Sequence, residues 1–205
     1  PVALLFFLLP FWLVRPALAF YNYQFGQACE KMGLRKDARR KLETSLEYYY
    51  PSWEAHFVLA NVYAALGELM KAKWHHEYSL SLNPYHQKGH YNLANTLYKL
   101  GEADRAIEHY KRGIKIDSIF YQSYNNLGSI LYKEKRLEES LTYFRKVTQL
   151  KPDYFSGQYN MGYILALLKR YEEALPYAQA AVKLEPKNPK ARRLLAELLR
   201  LTKGR

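Results

Sequence analysis

A pattern of 34 residues repeats five times, without an inserted or deleted residue, from Ala19 to Asn188, and a period of that length leaves a chain few ways to fold. In register, the copies 19–52, 53–86, 87–120, 121–154 and 155–188 place Gly26, Ala60, Ala94, Gly128 and Gly162 in one column. Phe25, Leu59, Leu93, Leu127 and Met161 stand just before them. A second small column holds Ala38, Ala72, Ala106, Ser140 and Ala174, and Pro84, Pro152 and Pro186 close three copies at one offset. Small residues recur where helices must touch, and proline falls where a helix has stopped. Each copy therefore reads as two helices and a turn.

The apolar pattern gives the same answer. In the fourth copy Tyr124, Leu127, Ile130 and Leu131 recur at helical spacing, and so do Leu137, Leu141, Phe144 and Val147. A lone hairpin cannot bury both stripes, so hairpins must stack. The expected fold is all-α: a right-handed α-solenoid of five helix-turn-helix repeats with a concave and a convex face. Residues 189–205 supply a capping helix and a basic tail, with Ala191, Leu194, Leu195, Leu198 and Leu199 on one side and Arg192, Arg193, Glu197 and Arg200 on the other.

These columns resemble the tetratricopeptide repeat family over roughly four-fifths of the chain. The third copy carries the resemblance best, with Tyr91-Asn92-Leu93-Ala94, Leu97-Tyr98, Gly101, Ala106-Ile107 and Tyr110. Departures are local: Ser118 replaces the closing proline of the third copy, Tyr50-Pro51 shifts it by one in the first, and Val147 fills a small position. Gly113 is expected in a packing column that wants a small residue, and Pro176 in an early turn that lacks a bond anyway.

Residues 1–18 stand outside the repeat. Pro1 to Val14 carries no charge, Arg15-Pro16 ends the run, and fourteen apolar residues fall short of the roughly 20 that span a bilayer. The end of a transmembrane helix, a signal-peptide core and a buried helix all fit. A first residue of Pro rather than Met favours truncation of a longer membrane protein. Membrane association is accordingly expected, on a side the sequence does not encode, with a secreted, periplasmic or cytoplasmic soluble protein as the alternative.

Net charge is +12, unevenly spread: the final 17 residues hold six basic groups against one acidic. An acidic partner or anionic lipid suits that tail. Basic residues interspersed with Glu and Asp, and no recognisable motif, argue against nucleic acid. No catalytic constellation or cofactor motif appears. Cys29 shares a column with Tyr63, Leu97, Leu131 and Leu165 and reads as a small core hydrophobe. His86 and His90 are four apart but divided by the repeat turn, so no metal is expected on them, and His76 falls in a core column with Tyr110 and Phe144.

The resemblance implies a concave groove lined by the first helix of each pair. Its fifth positions are Tyr23, Phe57, Tyr91, Asn125 and Tyr159, and its sixth positions include Asn92, Asn126 and Asn160. A side-chain amide offers donor and acceptor together and can pair with an extended peptide backbone. This is similar to the asparagine ladder of O-linked N-acetylglucosamine transferase, from which Gln24 and Val58 depart. Bonding between neighbouring repeats is the competing use of those amides. Asn61, Asn95, Tyr98, Tyr132, Lys99 and Lys133 extend the surface. The lysine clamp of the family's chaperone-tail binders is missing at the fifth position. Two readings follow: a non-catalytic scaffold holding an extended peptide or partner protein, or the C-terminal tail of a membrane enzyme resembling O-antigen ligases and polymerases, suggested by Arg15-Pro16.

Overall fold

The computed structural model describes residues 11–48 and 52–203, with side chains from Val14 onward. The sequence expectations for residues 1–10 lie outside the described residues. Among the described residues there are eleven helices and no strand. They form two compact units, one ending at Ile116 and the other beginning at Asp117. The first contains the hairpins α1 (Phe11–Lys31) with α2 (Arg35–Tyr48), α3 (Trp53–Leu66) with α4 (Leu69–Leu82), and α5 (Gln87–Lys99) with α6 (Ala103–Ile116). The second contains α7 (Tyr121–Lys133) with α8 (Leu137–Leu150), α9 (Phe155–Leu167) with α10 (Tyr171–Leu184), and the capping helix α11 (Pro189–Lys203). Within each unit, the second helix of one hairpin packs on the first helix of the next, and α11 covers α10 and α9.

The small columns are where the helices meet. Ala38, Ala72, Ala106, Ser140 and Ala174 are all fully buried. A Cβ added to Gly26 would lie 2.7 Å from Leu42 Cγ, and one on Gly162 would meet the backbone nitrogen of Ala178 at 3.2 Å. Ser45 and Ser79, one period apart, each donate from Oγ to the carbonyl of the first residue of their 34-residue copy, Ala19 and Trp53, at 2.8 Å. Gly113 takes that position in the third hairpin and is buried there, as the packing argument requires. Cys29 is buried in the first unit's core with Leu42, Leu59 and Tyr63. The second unit's core gathers Leu141, Phe144, Met161, Leu165, Leu194 and Leu198.

All five hairpins turn through a left-handed residue at the same position of the repeat. Gly33, Gly67 and Gly101 have φ of 76°, 82° and 83°, and Lys135 and Lys169 have φ of 62° and 61°. After Gly33 the next residue is Leu34, but in the other four turns it carries a charge that ties the turn down. Glu68 accepts from Arg39 of the preceding hairpin at 3.1 Å, and Glu102 from Lys73 at 2.8 Å. In the second unit that residue is Arg136 or Arg170, each forking onto a glutamate one helical turn on, Glu139 or Glu173, at 2.7 Å.

Two prolines lie inside helices. α1 runs unbroken through Arg15-Pro16, where the uncharged run ends, into the first repeat, burying Val14, Ala19, Gly26 and Cys29 along one stripe. Pro16 is the sixth residue of that helix with its ring exposed, so one backbone bond is lost there. Pro176 is the sixth residue of α10, past the first turn, and the bond it forgoes is one the helix would otherwise make. Its side chain is exposed, and Glu172, whose carbonyl would otherwise accept that bond, is exposed as well.

Candidate functional site

In the first unit the expected groove residues divide between surface and interior. Asn92 on α5 donates from Nδ2 to Oδ1 of Asn61 on α3 at 2.7 Å, so these two amides tie neighbouring hairpins together. Asn95 instead accepts from the Tyr110 hydroxyl within its own hairpin. The fifth-position aromatics lean on second helices: Tyr91 meets Tyr110 edge-on at 5.9 Å, and Phe57 stands 6.0 Å from His76 and 4.5 Å from His86. Tyr23 accepts from Gln27 Nε2 at 2.6 Å, and burial, with the Glu54 charge adding, raises its hydroxyl above the ordinary tyrosine pKa. Tyr98 is half-buried and Lys99 exposed.

The second unit gathers its groove residues more closely. Asn125 Nδ2 lies 3.3 Å from Asn126 Oδ1, and Asn160 Nδ2 lies 3.4 Å from Asn125 Oδ1. These bonds are longer than the 2.7 Å pair in the first unit and correspondingly weaker. Tyr132 on α7 and Tyr163 on α9 meet edge-on at 5.7 Å with hydroxyls 3.4 Å apart. Along α9, Phe155, Tyr159 and Tyr163 follow at four-residue spacing, and their rings stack at 5.9 Å per step and 13° and 12° to one another. Residues four apart share one helix face, so the three rings form a single strip.

Lys190 and Arg193 of α11 stand across from that strip. With Tyr159, Tyr163, Leu167 and Glu197 they line a cavity of about 510 Å³. Lys190 also borders a second cavity of about 390 Å³ with Phe155, Tyr159 and Asn160. The contact with Tyr132, then burial, pushes the Tyr163 hydroxyl up to about 12, and burial raises Tyr159, so both remain neutral donors. Lys133 is exposed at the end of α7. The arrangement supplies flat apolar area with polar tips, amides beside it, and two cations facing it.

Asn92, Asn126 and Asn160, expected as a ladder, divide between the two units. The structure joins each to another asparagine, and the partners Asn61 and Asn125 come from other columns. Sequence reading missed Phe155, Tyr163, Lys190 and Arg193. The aromatic spacing on α9 was a usable signal, whereas Lys190 and Arg193 were indistinguishable from a solvated face of the capping helix.

Tetratricopeptide repeat models match residues 23–72, 88–119, 121–154 and 155–188. No curated protein matches the chain. Among solved structures, YrrB, described as a tetratricopeptide repeat protein with an unusual peptide-binding site, is similar at 23% identity and a TM-score of 0.72, over 84% of this chain and 89% of that one. PilF of Pseudomonas aeruginosa is similar at 20% identity and a TM-score of 0.79, covering 92% and 86%. MamA of Desulfovibrio magneticus is similar at 19% identity and a TM-score of 0.75, covering 83% and 97%. At such identities these likenesses concern the fold. The repeat models cover most of the chain, and with the helical hairpins they lead to one conclusion: it belongs to the tetratricopeptide repeat family.

Proposed function

We propose that the chain is a non-catalytic scaffold that holds an extended, acidic segment of a protein partner, and that the second unit provides the anchor. The observation that carries this reading is the stacked strip Phe155, Tyr159 and Tyr163 facing Lys190 and Arg193. Rigid aromatic rings give contact area at little entropic cost, and tyrosine is enriched where binding energy concentrates. Asn160 borders the strip with an amide for a peptide backbone, Asn125 and Asn126 follow it in the same set of amides, and Asn92, Tyr98 and Lys99 offer the same chemistry in the first unit. The peptide-binding site named for YrrB supports the same class of ligand.

Membrane attachment through residues 1–18 belongs to the proposal and rests on the uncharged run Pro1–Val14. Among the described residues no helix is long and apolar enough to cross a membrane. The alternative of a glycan ligase or polymerase tail draws on Arg15-Pro16, which lies inside α1 rather than at a junction.

Random peptides displayed for selection on the purified chain test the reading. Extended sequences rich in Asp and Glu are expected, and the best of them should bind Tyr163→Ala and Lys190→Glu about tenfold more weakly, with melting temperatures near the parent's. Selected peptides that bind both folded variants as tightly as the parent would overturn it.

A further inference from the structure

All six histidines of the chain lie between residues 56 and 109. Four of them form two pairs that repeat at the 34-residue period. His56 on α3 faces His75 on α4 with 2.8 Å between Nδ1 atoms, and His90 on α5 faces His109 on α6 with 3.0 Å. Ring centroids lie 5.0 and 5.2 Å apart at interplanar angles of 33° and 31°, so the second pair copies the first. In the fourth hairpin the same positions hold Tyr124 and Tyr143.

The proton positions of the second pair follow from its neighbours. A neutral imidazole has one donor and one acceptor nitrogen. His90 Nε2 stands 3.0 Å from the Pro84 carbonyl, which can only accept, so the His90 proton is on Nε2 and its Nδ1 presents a lone pair. His109 Nδ1 donates to that lone pair. If the His109 proton moves to its own Nε2, both Nδ1 lone pairs become available side by side with no net change in charge. A histidine fixed through one ring N–H to a backbone carbonyl while the other nitrogen is presented is the arrangement that metal-ligating histidines use.

We propose that each of these histidine pairs is a two-nitrogen site for a borderline divalent transition metal, Cu(II) foremost, with water completing the coordination. Two imidazole nitrogens bound side by side at about 2.0–2.1 Å from one ion stand roughly 2.8–3.4 Å apart, and the observed separations, 2.8 and 3.0 Å, fall in that span. Imidazole suits copper, nickel and zinc, and copper binds such donors most strongly among them. The close, right-angled end of that span also suits tetragonal copper better than tetrahedral zinc. Among the described residues no third His, Cys, Asp or Glu joins either pair. A cavity of about 640 Å³ beside His90 and His109, reaching Glu77 and Ser81, leaves room for the waters.

Lys71 beside His75, and Arg105 and Arg112 beside His109, oppose a cation, while Glu108 offsets part of that charge. These are sites of modest affinity.

Trp74 makes the first pair visible, its ring centroid lying 4.7 Å from His75 and 5.8 Å from His56. Titrating Cu(II) into the untagged full chain, in a non-chelating buffer at neutral pH, should quench tryptophan fluorescence and load two ions per chain. H75Q should lose one ion and weaken quenching by about tenfold or more. H109Q should lose the other ion and leave quenching in place. Electron paramagnetic resonance of the unsubstituted chain should resolve coupling to two imidazole nitrogens per copper, and this holds whether or not the variants fold. Absence of binding, a copper signal without imidazole nitrogen, or folded variants that both keep two ions would each overturn the proposal.

Discussion

At the scale of single residues, the turn column separates what a side chain announces from what a backbone requires. Gly33, Gly67 and Gly101 adopt positive φ at no steric cost, whereas Lys135 and Lys169 occupy the same region with a Cβ. The strain on a lysine there exceeds the extra freedom a glycine brings to the unfolded chain. Lys135→Gly and Lys169→Gly are therefore expected to stabilise the protein by about 0.5–1 kcal/mol each, read as a higher urea midpoint at unchanged slope. Unfolding at or below the parental midpoint would show the strain relieved elsewhere. Three of these five turns could be read from glycine, and the other two could not, because lysine gives no local sign of a left-handed residue. The histidine pairs were illegible for a related reason. Aligning copies compares one position at a time, but His56 meets His75, and His90 meets His109, across a hairpin and 19 residues apart in the chain.

At the scale of helices, the period identified the hairpins because the small columns are the contacts themselves, as the burial of Ala38 through Ala174 records. The capping helix was equally legible. Ala191, Leu194 and Leu198 are buried, Leu195 and Leu199 are partly so, and Arg192, Arg193, Glu197 and Arg200 are exposed. Leu198 is fully enclosed in the second unit's core, so Leu198→Ala should destabilise the chain by about 2–5 kcal/mol, measured by chemical denaturation. A loss below about 1 kcal/mol would mean that α11 adds little to that core. Arg15-Pro16 ends the apolar run in the sequence but not the helix, because a proline there forfeits a single bond and the buried stripe from Val14 to Cys29 outweighs it. The candidate groove was half legible: its tyrosines and asparagines stand out as columns, but which amide bonds which depends on how hairpins stack.

Across the whole molecule, the two units differ in their response to acid. Every histidine belongs to the unit ending at Ile116, and burial first of all lowers the pKa of His56, His75 and His109 to about 4 and of His76 to about 3. A base lowered by folding stays neutral in the native state while the unfolded chain takes up protons near the ordinary 6.5. Stability is thus complete above about pH 6.5 and is lost progressively as pH falls from there toward 4. The three tryptophans, Trp12, Trp53 and Trp74, belong to the same unit. Tryptophan fluorescence should therefore reach its midpoint in a thermal melt at pH 5 at a lower temperature than helix content does, and coincident midpoints would argue against this account. The sign of charge at the turns also restricts how such a chain can be edited. Arg39 and Lys73 reach a glutamate in the turn that follows, but the fourth and fifth turns begin with Arg136 and Arg170. Splicing either later hairpin behind the first or second would bring cation against cation, at only about 0.2–1 kcal/mol per joint. Copies can be duplicated beside themselves more readily than shuffled, so the succession of hairpins is written in charge as well as in shape.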